Sequence, residues 1–349
     1  MKTIFAVTGA GGHLGHYLVQ YLLDQNQKVR ALLFNHEEPI FTGADIFYGD
    51  ITDISTIHPF LKVNPDEELV VIHAAGIVSI NARVDKRLYN VNVKGTTNML
   101  VAAKEAGAKR FVYISSVHAV KEKKYNEVIS ELDAKDFSMS DVRGGYAKTK
   151  AEATRLVLAA NDDNFATYVI APSGILGPGN SYSADFLGNL VYMFVRGKFK
   201  VAVKGGYDFI DVRDVAKATI NLALLSRPSS HFYLASGNYY SVRTILDTLS
   251  TITKKKRVRV YLSPRFIKLF AWIIETYYRW RKKTPLFTAY SMDTLLANAQ
   301  FDNRLAIKEL KLAIRPLDAT LGDMVKFIEL NDFTASKKKI VDIRKKKSI

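Results

Sequence analysis

The chain opens on an apolar strand, a glycine-rich turn and an amphipathic helix, "KTIFAVTGAGGHLGHYLVQYLL" (residues 2–23). This junction constrains the fold more than any other stretch. A strand that is apolar on both faces must be covered on both sides, and the helix that follows it supplies one cover. The alternation recurs. "KVRALLF", "ADIFYGD", "ELVVIHAAG", "RFVYISSV" and "FATYVIAP" are short β-rich runs, with helical stretches such as "NVNVKGTTNMLVAAKEAG" between them. Such a pattern predicts βαβ units and an α/β fold, a Rossmann-type doubly wound parallel sheet. With 349 residues, 48% of them apolar and 24% charged, the chain has ample material for a large core.

After Pro172 the pattern loosens into "SGILGPGNSY", which reads as loop. "DVRDVAKATINLALL" reads as a helix and "HFYLAS" as a strand, both returning to the main body. The expected organisation is a dinucleotide-binding domain over 1–175, to which 207–235 returns. A smaller, mostly helical substrate lobe takes 176–206 and 236–330, and a basic tail, 331–349, is expected to be disordered.

Within "TGAGGHLG", Gly9, Gly12 and Gly15 stand in a G-x-x-G-x-x-G spacing, with Gly11, His13 and Leu14 completing the loop. Glycine permits a tight turn and close backbone approach to a pyrophosphate. The helix start then offers free N–H groups and partial positive charge. A turn without a ligand is the plainer reading. The loop's place between a strand and a helix favours a nucleotide.

A second constellation lies in "GGYAKTKAEATRLVLAA". Tyr146 and Lys150 are four apart at a helix start, so they share one face. A tyrosine is a poor acid or base at neutral pH, and a neighbouring ammonium favours its phenolate. A Tyr so tuned can exchange a proton with a carbonyl or alcohol oxygen while hydride moves. Y-x-x-x-K also arises by chance, and it gains weight from the glycine loop upstream. "FVYISSVHAV" sets Ser115 and Ser116 at the end of an apolar strand, where open α/β sheets bind ligands, and alternation turns only one of them to a site.

Taken together, these motifs resemble the extended short-chain dehydrogenase/reductases (the NAD-dependent epimerase/dehydratase family), and most of all the dihydroflavonol-reductase and 3β-hydroxysteroid-dehydrogenase-like branch. The resemblance runs over roughly residues 2–330. It implies a cofactor loop at Gly9–Gly15 and adenine-side contacts at Asp50 and Ile51 in "YGDITD". It implies further contacts at Ala74, Ala75 and Gly76 in "VIHAAG", at Asn92 in "NVNVKGTTNML", and at Ser115, Pro172 and Ser173. It makes Ser116, Tyr146 and Lys150 the catalytic residues, with Tyr146 and Lys150 also touching cofactor, and favours Ser116 over Ser115. Val78, His118 and Ile175, with Ser116 and Tyr146, are the expected substrate contacts; a packed or solvated strand-end histidine is an equal reading of His118.

Two departures bear on cofactor and substrate. Where NAD-binding members carry an acid at the end of the second strand stands Leu33, and where many NADP-binding members carry Arg stands Phe34, followed by Asn35. Loss of the acid removes a repulsion against a 2′-phosphate, so NADP(H) is favoured over NAD(H). Sugar-nucleotide enzymes of the family have an Arg before the aromatic of an R-D-Y-I-H-V segment; here Tyr207 and Asp208 precede Phe209. The dehydratase acidic pair is replaced by Val117 and His118. The expected activity is interconversion of a secondary alcohol and a ketone on a bulky, apolar small molecule such as a hydroxysteroid- or dihydroflavonol-like compound. A sugar-nucleotide epimerase or dehydratase is the alternative. A non-catalytic NAD(P)-binding sensor is a second, disfavoured because the catalytic residues are all present.

The chain has no cysteine, which excludes disulfides, thiolate catalysis and Cys-ligated metals, and no metal site is expected. No signal peptide or membrane span is legible at the N-terminus or elsewhere, so a cytoplasmic protein is expected. Net charge is +16, concentrated in "KKKRVR" (254–259) and "SKKKIVDIRKKKSI" (336–349). Solvated surface charge explains most of this. The sharper reading is contact with an anionic membrane surface, aided by Phe266, Leu269, Phe270, Ile273 and Ile274 on one helical face, with Lys268, Arg279, Arg281, Lys282 and Lys283 nearby. No recognition motif accompanies the charge, so nucleic acid is not an expected partner. The family pattern also implies a homodimer packed through a four-helix bundle.

Overall fold

The structure is a computed structural model that describes residues 2–131, 136–179, 186–197, 200–268 and 289–346. In chain order the strands are β1 (Lys2–Thr8), β2 (Lys28–Leu33), β3 (Asp45–Tyr48), β4 (Glu67–His73), β5 (Arg110–Ile114) and β6 (Ala166–Pro172). There follow β7 (Gly174–Leu176), β8 (Val201–Val203), β9 (Gly206–Asp211), β10 (Phe232–Ala235), β11 (Asn238–Ser241) and β12 (Val260–Leu262). Seven of them form one sheet in the order β3-β2-β1-β4-β5-β6-β10, with every pairing parallel. The chain reverses its direction of travel between β1 and β4, so the crevice at their carboxyl ends is the topological switch point where such sheets bind ligands.

The helices that matter for the site are α1 (His13–Asp24), two short ones, α2 (His58–Leu61) and α3 (Lys86–Tyr89), then α4 (Thr96–Glu105), α5 (Gly145–Ala159), α6 (Phe186–Val195), α7 (Val212–Leu224) and α8 (Val242–Thr253). Two-residue alternation along β1 explains the layering. Phe5 and Val7 pack with Leu18 of α1 and Val215 of α7 on one face. Ala6 packs with Val71, Met99 and Phe111 on the other. Ile4 to Val7 have no solvent exposure, as a central parallel strand covered on both faces requires.

β10 joins the main sheet against β6, with Phe232 opposite Val169. Two small sheets accompany it: β12-β8 lies within the lobe segments, and β11 of the lobe pairs with β9, which in turn pairs with β7, so the lobe segments are less purely helical than their sequence reads. Runs as short as "VAV" and "VYL" carry too few residues to show alternation. The last helix, Leu317–Lys346, carries the backbone of the basic segment 331–346 as its continuation, where the sequence reads as a disordered tail. Lysine, alanine and arginine are good helix formers, so an established helix can propagate into such a stretch. Of the apolar segment tied to membrane contact, 269–288 lies outside the described residues. Among the described residues no helix is long and apolar enough to cross a membrane.

Candidate active site

The glycine loop leaves β1 at the switch point. Gly9 has φ +66, and a Cβ there would stand 2.7 Å from the backbone nitrogen of Ala75. At Gly15 a Cβ would lie 1.9 Å from the Gly9 carbonyl oxygen. The loop is thus folded onto itself and onto the 74–76 segment at distances only glycine permits. Gly12 is the N-cap of α1 and offers no side-chain cap, so the first N–H groups of the helix lack the usual internal acceptor. An uncapped helix start beside a cradle without side chains fits a pyrophosphate. His13 turns away to the carbonyl of Pro178, 3.1 Å, and Tyr17 donates to the same carbonyl at 3.2 Å. Leu14 is buried.

Across the crevice, α5 starts against the chain at 81–84. Gly144 has φ +93, and a Cβ on Gly145 would fall 2.3 Å from the Arg83 carbonyl oxygen. The two glycines of "GGYAK" therefore set the angle at which Tyr146 enters the site. Lys150, one turn on, is only 6% exposed. Its Nζ donates to the Ile114 carbonyl at 2.6 Å and to the Tyr113 hydroxyl at 3.1 Å, and lies 4.6 Å from the centroid of the Tyr113 ring. Burial pulls the Lys150 ammonium down to about 7. Helix α5 is thereby pinned to the end of β5, where Ser115 and Ser116 follow.

Beneath the lysine lies a buried polar chain. The Tyr113 hydroxyl lies near Thr96, whose own hydroxyl donates to the Asn92 carbonyl at 2.8 Å. His73 is fully buried, with Nε2 3.1 Å from Thr96 Oγ1 and Nδ1 2.7 Å from Thr8 Oγ1. The Thr8 oxygen also accepts the Ala75 N–H at 3.2 Å. Because the Thr96 proton is committed to Asn92, the consistent assignment is a neutral His73 that donates from Nε2 and accepts at Nδ1. Burial pushes its pKa down to about 3. Tyr113, Thr96, His73 and Thr8 each have a hydrogen-bond partner, so the polar groups buried between Lys150 and the base of the glycine loop leave no orphan among them.

The two serines differ. Ser115 Oγ is 2.5 Å from Thr154 Oγ1 on α5 and is buried in the body. Ser116 caps the short turn Val117–Ala119, its Oγ accepting the His118 N–H at 3.3 Å. The turn aims His118 at the site: its ring is edge-on to Tyr146 at 6.5 Å and stacked on Tyr207 at 5.3 Å. Burial pushes His118 down to about 4, so it is neutral at physiological pH. Tyr207 in turn meets Phe209 at 6.2 Å and Phe301 at 6.3 Å, and the four rings make an aromatic wall. Below it Asp208 is 4% exposed and accepts the Gly237 N–H at 2.8 Å; burial pushes its carboxyl up to about 6.

Other expected contacts divide. Asn92, in a π-helical turn over Asn90–Gly95, holds the backbone of Ile77 through its side-chain oxygen (2.7 Å) and nitrogen (2.9 Å) and reaches Thr149 at 3.1 Å. It shapes the 76–77 segment, with Gly76 between it and Lys150 Nζ. Asp50 accepts the Thr52 N–H at 2.8 Å, and Asn98 donates to the Ile51 carbonyl at 3.0 Å. Pro172 ends β6, and Ile175 on β7 stands opposite Ile210 of β9. Val78 is 72% exposed, and Phe34 and Asn35 project to solvent beyond β2. Sequence reasoning missed Tyr113, Thr96 and His73. The signal was present in "FVYISS" and "VIHAAG", where a tyrosine and a histidine interrupt apolar strands.

Residues 6–244 match the family described as 3-beta hydroxysteroid dehydrogenase/isomerase. The chain belongs to that family. It is an extended short-chain dehydrogenase/reductase, an enzyme of a group whose members are named dehydrogenases and reductases of hydroxyl and keto groups. Among similar curated proteins, "Sterol demethylase protein B" of Methylococcus capsulatus is 28% identical, over 91% of this chain and 96% of its own length. The "3beta-hydroxysteroid-dehydrogenase/decarboxylase isoform 1" of Arabidopsis thaliana is also 28% identical, over 86% and 73%. Among solved structures, the UDP-glucose 4-epimerase of Thermotoga maritima covers 94% of this chain and 99% of its own, with TM-score 0.74 at 16% identity. The UDP-glucuronic acid 4-epimerase of Bacillus cereus, in complex with NAD, covers the same shares with TM-score 0.67 at 18% identity. These two likenesses bear on the fold alone.

Proposed function

We propose that the chain is an NAD(P)-dependent oxidoreductase that interconverts a secondary alcohol and a ketone on a bulky, largely apolar molecule of the hydroxysterol class. The observation that carries this reading is the Tyr146–Lys150 pair, with the lysine buried and held at the strand end beside Ser116. Tyr146 gives a proton to the substrate oxygen in reduction and takes one in oxidation. Lys150, when charged, favours the phenolate of Tyr146. The Ser116 hydroxyl donates to the same substrate oxygen and stabilises the charge that develops on it. The dinucleotide, held along Gly9–Gly15 and the 74–76 segment, supplies or accepts the hydride when bound.

The aromatic wall of His118, Tyr207, Phe209 and Phe301 favours an apolar partner over a sugar nucleotide. So does Tyr207: it stands where sugar-nucleotide enzymes of the resembling group carry the arginine of R-D-Y-I-H-V, so the cation that would meet a diphosphate is missing. The names of the sterol-acting relatives point the same way. The cations of Lys200, Arg243 and the run Lys254–Arg259 line a cavity of about 1160 Å³ on the lobe, where contact with an anionic membrane surface would bring an apolar substrate within reach. A substrate panel tests the reading: oxidation of 3-hydroxysterols, reduction of dihydroflavonols and conversion of sugar nucleotides, each with both dinucleotides. Turnover of a hydroxysterol or dihydroflavonol is expected, and turnover of a sugar nucleotide alone would overturn it.

A further inference from the structure

The strand that should choose between a ribose hydroxyl and a ribose phosphate ends without an acid, at Leu33 and Phe34. A carboxylate nevertheless stands at the glycine loop. Residues 34–37 form a tight turn in which the Glu37 N–H donates to the Phe34 carbonyl at 3.0 Å and His36 takes φ +71. The turn folds the Glu37 side chain back, so that its Oε2 accepts the Phe34 N–H at 2.9 Å. That oxygen lies 2.8 Å from where a Cβ on Gly11 would stand, and the carboxyl carbon 3.1 Å from it. The carboxylate thus occupies the angle between the glycine loop and the end of β2. Gly11, which falls outside the G-x-x-G-x-x-G spacing, leaves it the room.

In a strand–turn–helix dinucleotide site the pyrophosphate sits at the helix start, and an acidic residue beyond the second strand holds the adenosine ribose. Here Oε2 is engaged by the Phe34 N–H, while Oε1 accepts no described hydrogen bond and is open to a hydroxyl donor. We infer that Glu37 selects NAD(H) over NADP(H), accepting the ribose 2′-hydroxyl and repelling a 2′-phosphate. The inference rests on the dinucleotide reading above and reverses the lean to NADP(H) drawn from Leu33 and Phe34. Scanning the strand end could not find it, because the acid arrives three residues beyond Phe34 and reaches back through a turn that needs a left-handed residue.

The test is equilibrium binding of NADH and NADPH to the full chain by titration calorimetry, for wild type, Glu37→Gln and Glu37→Arg. A charged hydrogen bond gained by one ligand and a like-charge contact imposed on the other predict that wild type binds NADH at least about tenfold tighter. Glu37→Gln keeps the shape and loses the charge, so the ratio should fall severalfold, and Glu37→Arg should invert it. The residue is solvent-exposed, so these variants leave the core intact. Tighter NADPH binding by wild type, or an unchanged ratio in Glu37→Gln, would overturn the inference alone. Binding of neither dinucleotide would overturn it together with the reading it rests on.

Discussion

Lys150 is expected to cost the fold stability in a manner that depends on pH. Its ordinary pKa of 10.5 falls to about 7 in the folded chain because the ammonium is buried. Below pH 7 it is charged in both folded and unfolded chains, and the whole penalty acts. Above 10.5 it is neutral in both and none acts. Between the two the native state binds fewer protons than the unfolded state, so wild-type stability rises with pH across this window. At about 1.4 kcal/mol for each pKa unit, the penalty near neutrality is about 5 kcal/mol. Lys150→Met preserves much of the volume and removes the charge. It also leaves the Ile114 carbonyl unpaired, which costs about 1–3 kcal/mol. The variant should therefore be more stable than wild type by about 2–4 kcal/mol at pH 6.5. That advantage should shrink by about 3 kcal/mol on going to pH 9.5, to near zero or a deficit. Urea unfolding followed by circular dichroism at both pH values measures it. A difference between variant and wild type that does not change with pH would refute the argument. A site that keeps so costly a residue does so for chemistry, and the same variant should lose activity.

Two further outcomes follow from particular contacts. Gly15→Ala places a Cβ against the Gly9 carbonyl at a distance no shift of a flexible side chain relieves, so unfolding should be easier by ~3 kcal/mol and dinucleotide binding lost; native-like binding in a soluble variant would show that the loop is not held as described. Exchanging Lys254, Lys256 and Arg257 for Glu should abolish co-sedimentation with phosphatidylserine vesicles at low salt while leaving turnover of a water-soluble substrate unchanged, and unaltered sedimentation would remove the membrane reading.

The sheet and the Tyr146–Lys150 pair were legible because period-two alternation and i, i+4 spacing are local signals. Phe5 and Val7 face one layer and Ala6 the other, as the pattern in "TIFAVTG" requires. What stayed hidden depended on distant contacts. Glu37 acts through a turn, and nothing in "FNHE" says where the carboxylate lands. Lys150 meets Tyr113 from another element, and only the register of β5 against α5 shows that strand and helix share one buried ammonium. Asp208 reads as an ordinary surface acid until β9 is seen packed between β7 and β11. The basic segment beyond 330 reads as disordered on charge alone, whereas the helix begun at Leu317 carries it onward.

The central claim is that Tyr146 moves the proton in a hydride-transfer reaction on an alcohol or ketone. Its most direct test is steady-state turnover of the best substrate from the panel by Tyr146→Phe, with NADH affinity measured on the same preparation. The account predicts a loss in kcat of about 10²–10⁴-fold with dinucleotide binding essentially unchanged. Turnover within a few-fold of wild type would contradict it.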